Sequence, residues 1–325
     1  MTPTLVRQHT PHAGAAPHVD LRARARDWSE IQERMLVPLY EAVYERLDLG
    51  DGTRMLGLEC GSGLALLMAA ARGATVTGVD SRSPELLALA RRRLLSRTPG
   101  APGTPEVSPG TPEIPPGTPE IPPGTPEIPE GPRPHGARGT GTPSGTARIV
   151  EGSPGDAMDP SEPAFTLVTA FEPIGYLAGD SDGLGALLDG AAPLAARGAA
   201  VVLAGWGPPE RCATTSVLRV ATRLADPLRS AGSWRPALRD DLEEVARRTR
   251  LRPDGSGRVA CPFGYADTRS ATRGLLSTGL FDAAIAAAGQ EQVDKELAEA
   301  LHPYRRPDGT VWMPNVFRYL IARIP

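Results

Sequence analysis

The chain has 325 residues, 40% of them hydrophobic, which is enough for one large domain or two small ones. A formal net charge of -3 argues against nucleic acid or an anionic membrane as a partner. The three cysteines, Cys60, Cys212 and Cys261, have no C-x-x-C spacing, which argues against a disulfide framework or a zinc knuckle and fits a reducing cytoplasm.

Residues 1–19 are rich in Pro, His, Thr and Ala and read as a disordered tail. His9, His12 and His18 then belong to a solvated segment, and no metal site is expected. This start lacks the charged and apolar regions of a signal peptide, and the longest apolar run, Leu64 to Ala71, is too short to cross a bilayer. The expectation is a soluble cytoplasmic protein. From Asp20 to Leu47 the spacing predicts a helix, with Trp28, Ile31, Met35, Leu39, Val43 and Leu47 as its apolar stripe.

Alternation follows. Strands are expected at 54–58 and 74–80 and helices at 64–72 and 83–95, the second with Ser83 as N-cap and Pro84 in its first turn. Such alternation predicts parallel βαβ units. Between about 98 and 146 the pattern breaks into a Pro/Gly-rich heptapeptide repeat, P-G-T-P-E-(I/V)-(P/S), read as a disordered low-complexity insert. Strands at 147–151, 165–170 and 199–206 resume the alternation, with a helix near 183–194. A helix over 236–251, a strand over 257–265, two helices split by Gly289 and a closing strand at 315–324 complete it. The domain therefore spans 20–97 and 147–325 around the insert.

The turn "LECGSG", Leu58 to Gly63, joins a first strand to a first helix, where glycines admit a ligand and the helix N-terminus favours anions. A dinucleotide fingerprint needs a third glycine where Leu66 stands, and a P-loop needs Gly-Lys-Ser/Thr. With these set aside, the chain resembles class I S-adenosylmethionine-dependent methyltransferases, most of all the small-molecule enzymes of the ubiquinone/menaquinone-biosynthesis type. The resemblance lies in Leu56, Cys60, Gly61 and Gly63 of the loop, and in Asp80, Ser83, Pro84, Leu87, Ala90 and Arg91 after the second strand. It continues more weakly in Gly155-Asp156-Ala157, in Phe165 to Val168, and in Leu194 to Val202.

The resemblance implies a doubly wound, Rossmann-like α/β sheet, mostly parallel with one antiparallel strand near the C-terminus. A helical lid would come from the N-terminus and from about 207–310. It implies S-adenosylmethionine as cofactor and a small-molecule acceptor, in secondary metabolism. The cofactor would be held by Glu59, Cys60, Gly61, Gly63, Asp80, Ser81, Asp156 and Ala157: Asp80 on the ribose hydroxyls, Asp156 on the adenine amino group, Cys60 as packing. Two departures stand out. Gly57 replaces the acid that holds the cofactor's ammonium group, and Thr166 replaces an aspartate on the fourth strand. Glu59 is read as compensating for Gly57, since strand alternation would put both on one face.

The sulfonium methyl is already activated, so alignment and exclusion of water are the enzyme's main contributions. His302, Tyr176 and Glu172 are the candidate catalytic residues, and Trp28, Tyr40, Glu172, Tyr176 and Trp206 the candidate acceptor pocket. Two rivals stand beside this reading. One is an inactive cofactor-binding or scaffold protein with a degenerate loop; the other is an NAD(P)-dependent oxidoreductase, weakened by Leu66.

Overall fold

In the computed structural model, residues 20–95, 147–176, 179–225 and 241–325 are described. The N-terminal tail and the heptapeptide repeat lie outside them. Five strands form the parallel part of one sheet: β1 (Arg54–Leu58), β2 (Thr75–Asp80), β3 (Ala147–Glu151), β4 (Phe165–Ile174) and β5 (Ala195–Trp206). With β6 (Arg252–Ala260) and β9 (Val316–Arg323), the order across the sheet is β3-β2-β1-β4-β5-β9-β6. Strand β9 runs antiparallel to both its neighbours, so β6 is again parallel to β5. This is the doubly wound, mostly parallel sheet with an antiparallel C-terminal strand that the resemblance implied. A separate antiparallel pair joins β7 (Phe263–Tyr265) to β8 (Val311–Met313).

Helices cover both faces. On one lie α3 (Leu64–Ala70) and the segment made of α1 (Leu21–Asp27) and α2 (Val37–Arg46), with α4 (Pro84–Leu95) between β2 and β3. On the other, α5 (Asp180–Ala191) and α7 (Asp241–Arg248) pack over Leu56, Val168, Val201 and Leu203. Ser83 caps α4 as expected, its Oγ accepting from the Leu86 N–H at 3.3 Å.

Three sequence readings change. The expected single helix over 20–47 is interrupted by a π turn at Trp28–Gln32 and a 3₁₀ turn at Glu33–Leu36. Pro38 has no N–H to give and its ring crowds the turn before it, so the α-helix restarts at Val37. The wide π turn shifts the phase of the stripe. The buried face reads Ser29, Gln32, Glu33, Leu36, Leu39, Tyr40, Val43 and Tyr44, while Ile31 and Met35 are only half-buried. Second, the strand expected at 257–265 is two strands, and β6 begins five residues earlier, at Arg252. Pro253 and the glycines disguised it, and they are tolerated because β6 is the sheet's edge.

Third, the lid is not continuous from 207 to 310. Helices α6 (Thr214–Ala225), α8 (Thr268–Ser277), α9 (Asp282–Ala288) and α10 (Gln290–Leu301) form a helical layer, but α7 and β6 belong to the sheet and its opposite face. The helix start expected at 236 lies outside the described residues.

Candidate active site

A cavity of about 640 Å³ opens at the carboxyl ends of β1, β2, β4 and β5, where ligands of doubly wound sheets bind. Its floor is the β1–α3 loop and its roof is the N-terminal helical segment with the turn after α8. The roof is tied together by polar contacts across long sequence distances. Arg24 donates to both carboxylate oxygens of Asp282, Arg273 pairs with Asp27, and Tyr265 donates its hydroxyl to Gln32 Oε1 at 3.0 Å.

Asp80 ends β2 with its side chain buried. Its Oδ2 accepts from the Gly61 N–H at 3.0 Å and its Oδ1 from the Arg82 N–H at 2.8 Å. Because Ser83 supplies the cap of α4, Asp80 is not needed there; it fixes the glycine loop and lines the cavity. Gly61 has φ +55 and lies beneath Trp28, whose Nε1 would be 3.4 Å from an added Cβ. Gly63 has φ +79, but its role is packing: a Cβ there would come within 2.9 Å of the Ala90 Cβ on α4, and it does not line the cavity. Cys60 lines the cavity, and burial pushes its thiol up to about 12, so it is a packing residue and not a nucleophile.

Glu59 is left-handed at φ +47, a conformation that glycine, usual at this place in the resembled loop, adopts without strain. Strand alternation does not position it, since β1 has already ended at Leu58. Its carboxylate lines the cavity and meets Arg82 Nε at 3.3 Å. Burial raises its pKa, Arg82 opposes that, and the Glu172 and Asp80 charges add to it. An acid at Gly57 would require Leu66 to move, since a Cβ there would come within 2.8 Å of Leu66 Cδ2. The same leucine fills the space over Gly78 of β2. The missing acid and the Leu66 that breaks the dinucleotide pattern are thus one packing solution.

The acceptor candidates converge. Trp28, Tyr40, Glu172, Tyr176 and Trp206 all line the cavity, with Phe171, Phe263 and Phe317 among them. Trp206 and Phe317 have ring centroids 4.5 Å apart, and Tyr40 and Phe171 4.8 Å. Asp180 holds this end in place by accepting from the Gly175 and Tyr176 N–H groups at 2.8 and 3.0 Å.

Other candidates fall outside. Asp156 and Ala157 do not line the cavity. The Asp156 carboxylate is exposed and accepts from the Ser153 N–H and hydroxyl in a capping box, which lowers its pKa, so Asp156 is a turn residue. Ser81 is exposed and does not line the cavity, although its neighbours Asp80 and Arg82 do. His302 is exposed on a 3₁₀ turn after α10 and does not reach the cavity, and Tyr304 beside it bonds instead to Ser216 at 2.9 Å.

Two functional residues escaped the sequence reading. Glu33, only 3% exposed, reaches from the roof onto the loop. It accepts from Ser62 Oγ, from the Leu64 N–H at 3.3 Å and from Arg93 Nη1 at 2.7 Å. Its place one turn ahead of Leu36 and two ahead of Tyr40 on a buried stripe was the available signal. Arg82 lies among Glu59, Asp80 and Glu172. Nothing in its sequence neighbourhood signals that.

No protein-family model and no curated protein matches the chain. Solved structures do. A methyltransferase from Thiobacillus denitrificans in complex with S-adenosyl-L-homocysteine is 14% identical, with 94% of this chain and 99% of that one covered and a TM-score of 0.47. YjhP from E. coli is 16% identical, covering 93% and 99%, at a TM-score of 0.47. Geranyl diphosphate C-methyltransferase from Streptomyces coelicolor A3(2) is 12% identical, covering 90% and 80%, at 0.43.

The cavity has room and chemistry for a ligand like S-adenosylmethionine. Three of its lining side chains carry buried polar atoms with no partner among the described residues: Trp28 Nε1, Thr169 Oγ1 and the Tyr176 hydroxyl. Buried polar groups are normally bonded, so such a set on one cavity points to a bound molecule.

Proposed function

We propose that the protein transfers the methyl group of S-adenosylmethionine to a small-molecule acceptor. The observation that carries this reading is the buried Asp80 carboxylate at the end of β2, bonded to the Gly61 N–H of a left-handed glycine loop on the same cavity. When bound, the cofactor supplies a sulfonium methyl that needs no further activation. Asp80 has lone pairs beyond its two backbone bonds and would accept from the ribose hydroxyls, strongly because it is charged. Gly61 would let the backbone approach the methionine part. Glu59, the acid nearest the loop's entrance, would face the ammonium group in place of the missing acid at Gly57.

The roof contributes exclusion of water, with Trp28 over Gly61 and Glu33 locking the roof to Ser62 and the α3 N-terminus. The aromatic end, with Tyr40, Phe171 and Trp206, would align the acceptor, and alignment lowers the barrier of such a displacement. His302 has no part in this, and Glu172 is the half-exposed group best placed to take a proton.

The test is to denature purified protein and look for co-purified S-adenosylhomocysteine, then to supply a radiolabelled methyl donor with small-molecule extracts. Label moving into a small molecule supports the reading. A protein that binds neither form of the cofactor would be the scaffold of the rival reading.

A further inference from the structure

The chemistry of the acceptor is narrowed by the cavity's charges. At the carboxyl ends of β1, β2 and β4 three carboxylates, Glu59, Asp80 and Glu172, share one guanidinium, that of Arg82. Two negative charges are left uncompensated there. The other arginine lining the cavity, Arg24, is engaged by Asp282, and the buried Glu33 is already neutralised by Arg93. S-adenosylmethionine carries a sulfonium, an ammonium and a carboxylate, a net charge of plus one. With it bound, the cluster would still hold one excess negative charge.

Next to that cluster the cavity is aromatic. Tyr40 and Phe171 lie on one side, and Trp206, Phe263 and Phe317 pack together on the other. Ring faces attract cations, most strongly where water is excluded. Glu172 follows Phe171 directly; burial pushes the Tyr40 hydroxyl's pKa up, and the charges of Glu33 and, least, Glu172 add to it. Two oxygens without partners among the described residues also line it. The Tyr176 hydroxyl belongs to a side chain only 6% exposed, and Thr169 Oγ1 to one 1% exposed. Either can accept from an N–H. No lysine or histidine is among the described residues that line the cavity.

We propose that the acceptor is an amine, methylated on nitrogen and held as a cation between the aromatic rings and Glu172. This rests on the methyl-transfer reading. A bound ammonium first gives its proton to Glu172, which is half exposed and can pass it to water. The nitrogen lone pair then forms the bond to the methyl carbon while the sulfur–methyl bond breaks and its electron pair stays on sulfur. Sulfur ends neutral and nitrogen ends positive, and the proton released through Glu172 is the one positive charge the cavity gives up. An anionic acceptor, a carboxylate or a diphosphate, would instead add to the uncompensated charge.

The test is binding, not turnover. Protein is first titrated with S-adenosylhomocysteine. The loaded protein is then titrated at constant ionic strength with benzyltrimethylammonium, benzyl alcohol and phenylacetate, which share a phenyl ring and differ in charge. The ammonium should bind about tenfold more tightly than either other probe. Glu172→Gln should remove most of that preference while melting like the parent, since Glu172 lies at the surface end of the cavity. Equal or tighter binding of the alcohol or the carboxylate would overturn the proposal, as would the absence of saturable ammonium binding to loaded protein. Absence of S-adenosylhomocysteine binding in the first titration would sink the methyl-transfer reading itself, and this proposal with it.

Discussion

Replacing Asp80 with alanine removes two bonds at once, and the structure lets their cost be apportioned. The Oδ2 bond to the Gly61 N–H is buried, while the Oδ1 bond to the Arg82 N–H is only part-buried. A charged acceptor to a buried N–H is worth about 1.5–3 kcal/mol, and the second bond contributes less because water can replace it. Asp80→Ala should therefore cost about 2–4 kcal/mol, or a fall in Tm of roughly 5–10 °C for a domain of this size. Asp80→Asn keeps one acceptor oxygen and should lose about half as much. The two variants separate the roles of the residue. If Asp80 also accepts from the ribose, Asp80→Asn should weaken S-adenosylhomocysteine binding by about tenfold even though the loop stays in place. Differential scanning calorimetry and isothermal titration on the same preparations give both numbers. A fully folded Asp80→Asn with unchanged affinity would refute the ribose assignment and leave Asp80 as a loop anchor only.

Glu59→Gln should raise stability at neutral pH. Its folded pKa is raised, so as pH rises through the interval between the ordinary carboxyl range and the raised value, the folded form keeps a proton that the unfolded form has lost. Stability of the parent therefore falls across that window, and a pH series of melts should show the difference from Glu59→Gln vanish at low pH. Arg93→Ala should destabilise by about 3–5 kcal/mol, because it leaves Glu33 charged, buried and without its guanidinium. Thermal melts check this, and a change below about 1 kcal/mol would mean that the roof is not locked at this point. Replacing residues 100–145 with a short Gly-Ser linker should leave cofactor affinity within about twofold, since α4 ends and β3 begins at the amino edge, away from the cavity. Titration of the shortened protein measures it.

Much of the sheet was legible because its signals are local. Pro84 and Ser83 mark the entry to α4, Gly61 and Gly63 mark a turn that only left-handed residues can make, and Asp80 ends a strand at a fixed distance from that turn. Strand β6 was hidden because an edge strand can carry Pro253 and glycines that elsewhere spell a turn. The site was legible in part. Aromatic residues at or just past the ends of β4 and β5 had to reach the carboxyl edge, and Tyr176 and Trp206 do. Glu33 was not visible because its partners Ser62 and Arg93 are 29 and 60 residues away, and an acid in an amphipathic helix ordinarily faces water. Asp156 was misplaced because a short motif fixes a turn but not which way the turn looks. Its carboxylate folds back on Ser153.

The central claim, that the β1–α3 loop and Asp80 form a live cofactor site, is tested most directly by calorimetric titration of the intact protein with S-adenosylhomocysteine. The account predicts one saturable site per chain, competed by S-adenosylmethionine and weakened by Asp80→Asn. Absence of binding by a protein that melts cooperatively would contradict it. The loop would then be the degenerate remnant that Gly57 and the left-handed Glu59 could also describe.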